Sequence, residues 1–129
     1  MRKVLRHPLL WFAAWAAWVG TLWWLSAGVR AFPPGMSFEF SDKVLHFGYF
    51  LGGGGLAAGF FYLLSGEPAN WKRVLLLAVL ATTLVGVLDE WHQSHVPGRQ
   101  GNDPADLTAD FLGALAGACL FRKGHRVLA

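Results

Sequence analysis

Cysteine is nearly absent from this 129-residue chain: Cys119 is the only one. That excludes an internal disulfide, and its place in an apolar run predicts a buried small residue rather than a reactive thiol. Charge is scarce too, at 15% of residues. The Lys and Arg residues are dispersed and form no nucleic-acid-binding patch. No sequence repeat is present, and no low-complexity segment beyond Gly52 to Gly55. Also missing are an H-E-x-x-H pair, a nucleophile elbow and a sensibly placed Cys–His pair, so no known catalytic signature declares itself.

What the chain has in excess is apolar surface. Hydrophobic residues make up 54%, with seven Trp and ten Phe, and the mean hydropathy is +0.39. A soluble domain of this length could not bury so much, which points to a membrane protein. The length fits a single domain, residues 1–129. Pro8 to Val29 carries no charge, and at 1.5 Å per residue it can cross a hydrocarbon slab of about 30 Å. Arg2, Lys3 and Arg6 precede it, as they would a signal peptide. The run is long for one and lacks a clean cleavage site, so a retained helix is expected. Three more helices are predicted, over about 41–64, 71–93 and 103–121. Ser41 is a candidate N-cap after the Pro33-Pro34-Gly35 loop, and Asp103-Pro104 reads as an N-cap followed by proline at the first helical position. The predicted fold is all-α: an antiparallel bundle of four transmembrane helices.

Charge orients such a bundle. One end collects Arg2, Lys3, Arg6, Lys72, Arg73, Arg122, Lys123 and Arg126 against Glu67 alone. The other has Arg30, Lys43 and Arg99 against Glu39, Asp42, Asp89, Glu90, Asp103, Asp106 and Asp110. The positive-inside rule then puts both termini in the cytoplasm and the acids on the extracytoplasmic side of a bacterial cytoplasmic membrane. Trp23 and Trp24 suit an aromatic belt at that interface.

The acids lie unusually deep. Only 15 uncharged residues, Val74 to Leu88, precede Asp89, and the run from Leu107 to Phe121 is interrupted by Asp110. Fifteen residues rise about 22 Å, less than the hydrocarbon thickness. A lone charge at that depth costs several kcal/mol and should face a polar interior with partners. Helical spacing agrees, for Asp103, Asp106, Asp110, Gly113 and Gly117 fall in one stripe. Thr82, Gly86, Asp89 and Gln93 form a second, with Glu90 at its edge, and Asp42, His46, Tyr49 and Gly53 a third. Gly113-x-x-x-Gly117 permits close backbone approach; Gly48, Gly52, Gly55 and Gly59 suggest another such face. The stripes predict an outward-facing acidic pocket with Lys43, His46 and Arg99 as its nearest cations and the first helix as a wall.

Three uses of the pocket follow from these residue types. As a binding site it would use Asp42, Lys43, His46, Tyr49, Asp89, Glu90, Gln93, Arg99, Asp106 and Asp110, with Arg99 gripping phosphate or carboxylate. The ligand would be a membrane lipid, a lipid-linked cell-wall precursor or part of a glycopeptide. As a cation site it would use Asp42, His46, Asp89, Asp106 and Asp110, suiting Mg²⁺, Ca²⁺, Mn²⁺ or Zn²⁺. Glu90 or His92 would be the general base if cation-assisted phosphoryl or hydrolytic chemistry followed. As pure structure, it would be an ion-pair network fixing helix register. His92 and His95 read otherwise as solvated loop residues.

Four short motifs stand in order: Asp42-Lys43-x-x-His46, Asp89-Glu90-x-x-Gln93, Pro97-Gly98-Arg99 and Asp106-x-x-x-Asp110-x-x-Gly113. Together they resemble the VanZ-like family of small bacterial membrane proteins across about half the chain. The family pattern usually has Asn where this chain has Asp110. The resemblance implies a cytoplasmic-membrane protein of the cell envelope and a contribution to tolerance of the glycopeptide teicoplanin. It implies no settled enzymatic activity.

Overall fold

A computed structural model of the chain describes residues 2–28 and 41–127. The Pro33-Pro34-Gly35 loop, Val29, Arg30 and Glu39 lie outside that range. All regular structure described is helical. A short α1 (Arg2–Leu5) leads into α2 (Pro8–Ser26), followed by α3 (Ser41–Ser65), α4 (Trp71–Ser94) and α5 (Pro104–Gly124), with a closing 3₁₀ turn at His125–Val127. The four long helices are apolar and long enough to cross a bilayer. At 25 residues, α3 spans about 37 Å. The sequence did not announce α1.

Local chemistry sets the helix ends. Asn70 caps α4 by accepting from the Arg73 amide at 3.1 Å. Asp103 caps α5 through the Ala105 amide at 2.9 Å, with Pro104 in the first turn; the ring supplies a helical φ and removes an amide that would lack a partner. Ser41 is the first residue of α3, and the cap position before it lies outside the described residues. Val96-Pro97-Gly98-Arg99 closes a turn through the Arg99 amide and the Val96 carbonyl at 3.1 Å. Proline takes the second position and Gly98, at φ 78°, the third, where a type II turn needs the left-handed region.

Packing centres on α3, which contacts each of the other three long helices and meets α5 most extensively. The reason is glycine. A Cβ at Gly113 would collide with the Phe47 carbonyl, one at Gly117 with the Leu51 carbonyl, and one at Gly54 with the Ala114 backbone. The two backbones therefore touch, and dispersion between them replaces the hydrophobic driving force that lipid removes. The expected Gly48/Gly52/Gly55/Gly59 face is corrected. Gly48 and Gly52 meet nothing and are exposed, whereas Gly59 admits the Trp11 ring and Gly53 the Trp18 ring. Four-residue spacing drifts around a helix of 3.6 residues per turn, so α3 divides its glycines among lipid, α2 and α5.

On α2, the Trp18 indole donates to the Tyr49 carbonyl at 3.0 Å and the Tyr49 hydroxyl donates to the Trp18 carbonyl at 2.7 Å. Cys119 is only half-buried, against the expectation of a core position.

Candidate functional site

The end of α2, the start of α3, the end of α4 and the start of α5 converge, and the acidic residues converge with them. Asp89, Glu90, Asp106 and Asp110 are all buried, as are His46, Gln93 and Ser26. His46 Nδ1 lies 2.7 Å from Asp110 Oδ1, joining α3 to α5. A carboxylate only accepts, so Nδ1 carries a proton in this pairing, and Nε2 is the nitrogen left to act as a ligand when the ring is neutral. That Nε2 stands 3.9 Å from Asp42 Oδ1 and 3.8 Å from Asp106 Oδ2. Lys43 Nζ lies 2.5 Å from Asp106 Oδ1 and 2.9 Å from Asp103 Oδ2. The ammonium beside it holds the Asp103 carboxyl below the usual carboxylate range, helped by the Ala105 amide.

Glu90 ties α4 to the following loop. Its Oε2 accepts from the Asp103 amide at 2.9 Å, and its carbonyl accepts from the Asn102 amide at 3.3 Å. Gly101 presses against the Glu90 carbonyl and the Ser94 amide, where no side chain fits. The Asp110 carboxylate packs over Gly86: a Cβ there would sit 2.7 Å from Asp110 Oδ2. Glu90 Oε1 and Asp110 Oδ2 are buried without a hydrogen-bond partner.

Asp89 occupies the α2 side of the cluster. One oxygen accepts from the Ser26 hydroxyl and the other from Gln93 Nε2 at 2.7 Å. Gln93 in turn accepts from Arg99 at 2.9 Å, and Arg99 also donates to the Gly28 carbonyl at 2.7 Å. An uninterrupted chain of bonds thus runs from α2 through α4 to the Pro97-Gly98-Arg99 turn.

These geometries redistribute the expected roles. Asp42, Lys43, His46, Glu90, Asp106 and Asp110 form one group with Asp103. Asp89, Gln93 and Arg99 form an adjoining one with Ser26. The hydroxyl of Tyr49 is taken by α2, as described. Arg99 is held by carbonyl oxygens, and Lys43 by the Asp103 and Asp106 carboxylates, with Asp42 at 3.9 Å. His92 is corrected from a loop residue to a helical one: it lies on α4 with its ring flat against Trp23, at 3.7 Å between centroids and 2° between planes. His95 terminates α4 and is exposed. The ligand-capable atoms of Asp42, His46 and Asp106 lie within 4.8 Å of one another, as do those of His46, Glu90 and Asp110. Glu90 thus stands where the sequence reading had Asp89. Ser26 was missed altogether. A serine near the end of a 22-residue apolar run is an ordinary membrane-helix residue, and nothing in its spacing reveals an acid 63 positions away.

The motifs quoted above meet at this one end of the bundle, and comparison with known families agrees. The family model described as VanZ/LLP1 matches residues 5–128. The chain belongs to the VanZ/LLP1 family. No curated protein and no solved structure was found to match it. The VanZ-like match spans all four long helices, so both polar groups fall within what the family model covers.

Proposed function

We propose that the acidic end of this VanZ-like protein is a ligand site on the extracytoplasmic side of the bacterial cytoplasmic membrane. It takes a donor-rich group, the hydroxyls or ammonium of an envelope lipid, a lipid-linked cell-wall precursor or a glycopeptide. The observation that carries the reading is acceptor capacity left over inside the cluster. Glu90 Oε1 and Asp110 Oδ2 are buried and unpaired, and a purely structural network has no use for unpaired buried oxygens, each of which costs stability. Lys43 and Arg99 are already engaged, so an anion would find few donors. Asp42 and Asp103 are partly exposed and give the site its polar rim. A contribution to teicoplanin tolerance belongs to the same reading.

A divalent cation is the second reading. His46 Nε2 faces Asp42 and Asp106 while Nδ1 is oriented by Asp110, the carboxylate–histidine pairing typical of metal ligands. The alternative group of His46, Glu90 and Asp110 also fits. Bound between Asp42, His46 and Asp106, a cation would supply charge to polarise a phosphoryl oxygen, and Glu90, which is not a ligand of that group, would be the base for an enzyme acting on a lipid-linked substrate.

Native mass spectrometry of the purified protein tests the site. Wild type should retain an envelope lipid or precursor that His46→Ala and Asp110→Asn release while remaining folded. Equal retention by all three would remove the proposal. Thermal shift with Mg²⁺, Ca²⁺, Mn²⁺ and Zn²⁺ decides the cation reading, which fails if none stabilises wild type more than His46→Ala.

A further inference from the structure

The opposite end of the bundle holds a second arrangement that the acidic site does not use. A cleft of about 510 Å³ is lined by Trp71 at the start of α4 and by Cys119, Arg122, Lys123, His125 and Arg126 from the end of α5 and the turn after it. None of the lining residues is acidic. Glu67, on the loop between α3 and α4, does not line the cleft; its Oε1 accepts from the Tyr62 hydroxyl at 2.9 Å. Trp71 is the fixed wall. Tyr62 stacks on it at 5.2 Å, and the Arg122 guanidinium lies over it at 5.7 Å. His125 packs 4.6 Å from Trp71 and donates from Nδ1 to the Arg122 carbonyl at 2.5 Å. Trp71 is the first residue of the 24-residue α4, whose N-terminal end carries partial positive charge.

We propose that this cleft binds the phosphodiester headgroup of an anionic membrane phospholipid. The headgroup would meet Arg122, Lys123 and Arg126, with the bidentate geometry of arginine suited to phosphate oxygens. A lipid accounts for more than a soluble phosphate would. The cleft lies at the end of two membrane-length helices and combines an indole wall with cations, which is headgroup-level chemistry. Leu120 and Leu115 on α5 and Leu76 and Leu80 on α4 are exposed, and they offer acyl chains an apolar surface.

Cys119 lines the cleft and is the only cysteine, so it reports occupancy directly. The wild-type protein in nanodiscs is alkylated with the uncharged N-ethylmaleimide. Phosphatidylglycerol discs should slow the reaction relative to phosphatidylcholine discs. Arg122→Gln/Arg126→Gln should weaken retention of phosphatidylglycerol by at least about tenfold, since each basic residue near an anionic surface contributes roughly fivefold. Phosphatidylcholine discs supplemented with inorganic phosphate or glycerol phosphate should react as fast as without them. Equal rates in the two lipids overturn the proposal, and this arm needs no variant. So does undiminished protection in the double variant, or equal protection by free phosphate, which would make the cleft a soluble-anion site.

Discussion

Ser26→Ala is the sharpest probe of how the acidic end is held together. Ser26 is fully buried, and its hydroxyl is the hydrogen-bond donor to Asp89 Oδ1. The substitution removes one oxygen and leaves the backbone helical. Its cost is the Asp89 oxygen, buried at 2% exposure with no donor on that side. A hydrogen bond to a charged acceptor is worth about 1.5–3 kcal/mol in water-soluble proteins. Interhelical bonds in membranes average about 0.6 kcal/mol and reach about 1.7. Because this acceptor is a carboxylate and not a neutral group, the upper part of the membrane range applies, about 1–1.7 kcal/mol. The assay is reversible unfolding in mixed micelles, run as a double-mutant cycle with Asp89→Asn. An asparagine can turn its amide nitrogen toward Ser26, whose hydroxyl then accepts, and its oxygen toward Gln93. Asp89→Asn should therefore reduce the penalty of Ser26→Ala to a few tenths of a kcal/mol. A Ser26→Ala penalty below about 0.5 kcal/mol, or one equally large in both backgrounds, would refute the reasoning that this bond locks α2 to the site.

The glycines give a contrast within a single helix. Gly54→Ala should destabilise the bundle by about 1–3 kcal/mol, because its Cβ must displace the α5 backbone. Gly48→Ala, on an exposed site with open space, should be neutral or stabilising by up to about 1 kcal/mol through helix propensity; unfolding of the two variants side by side checks both. A pH dependence follows from Asp103, whose carboxyl is held below its ordinary value of 3.8 by Lys43 and the Ala105 amide. A lowered native pKa means that its stabilisation is fully present above 3.8 and fades as pH falls through the lower, native value. The stability advantage of wild type over Asp103→Asn should accordingly be steady from pH 7 to 5 and shrink below about 4. It should be modest throughout, since Asp103 is partly exposed.

Much of this protein could be read from its sequence for simple reasons. A bilayer imposes length and polarity on each helix, so four apolar runs declared themselves without any knowledge of their neighbours. Helical periodicity put Asp106 and Asp110 on the face that carries Gly113 and Gly117, and that face does pack against α3. Short-range chemistry was equally open: Asp103-Pro104 and Pro97-Gly98 name their cap and their turn, because only nearby residues take part. Less legible was anything settled between helices. Periodicity fixes a face to within tens of degrees, which is too coarse to separate Asp89 from Glu90, adjacent residues 100° apart on α4. It therefore could not say that Glu90 stands beside His46 while Asp89 turns to Ser26 and Gln93. Nor could it say that α3 would give α5 Gly54 and leave Gly48 and Gly52 to face outward.

The chain alone thus determined its four long helices, the Asp103 cap and the concentration of acid at one end, since these depend on each segment's own contest between water, lipid and backbone. Tertiary structure decided which donor meets which oxygen. Those pairings form between segments as far as 74 residues apart, and they depend on how closely glycine lets two backbones approach.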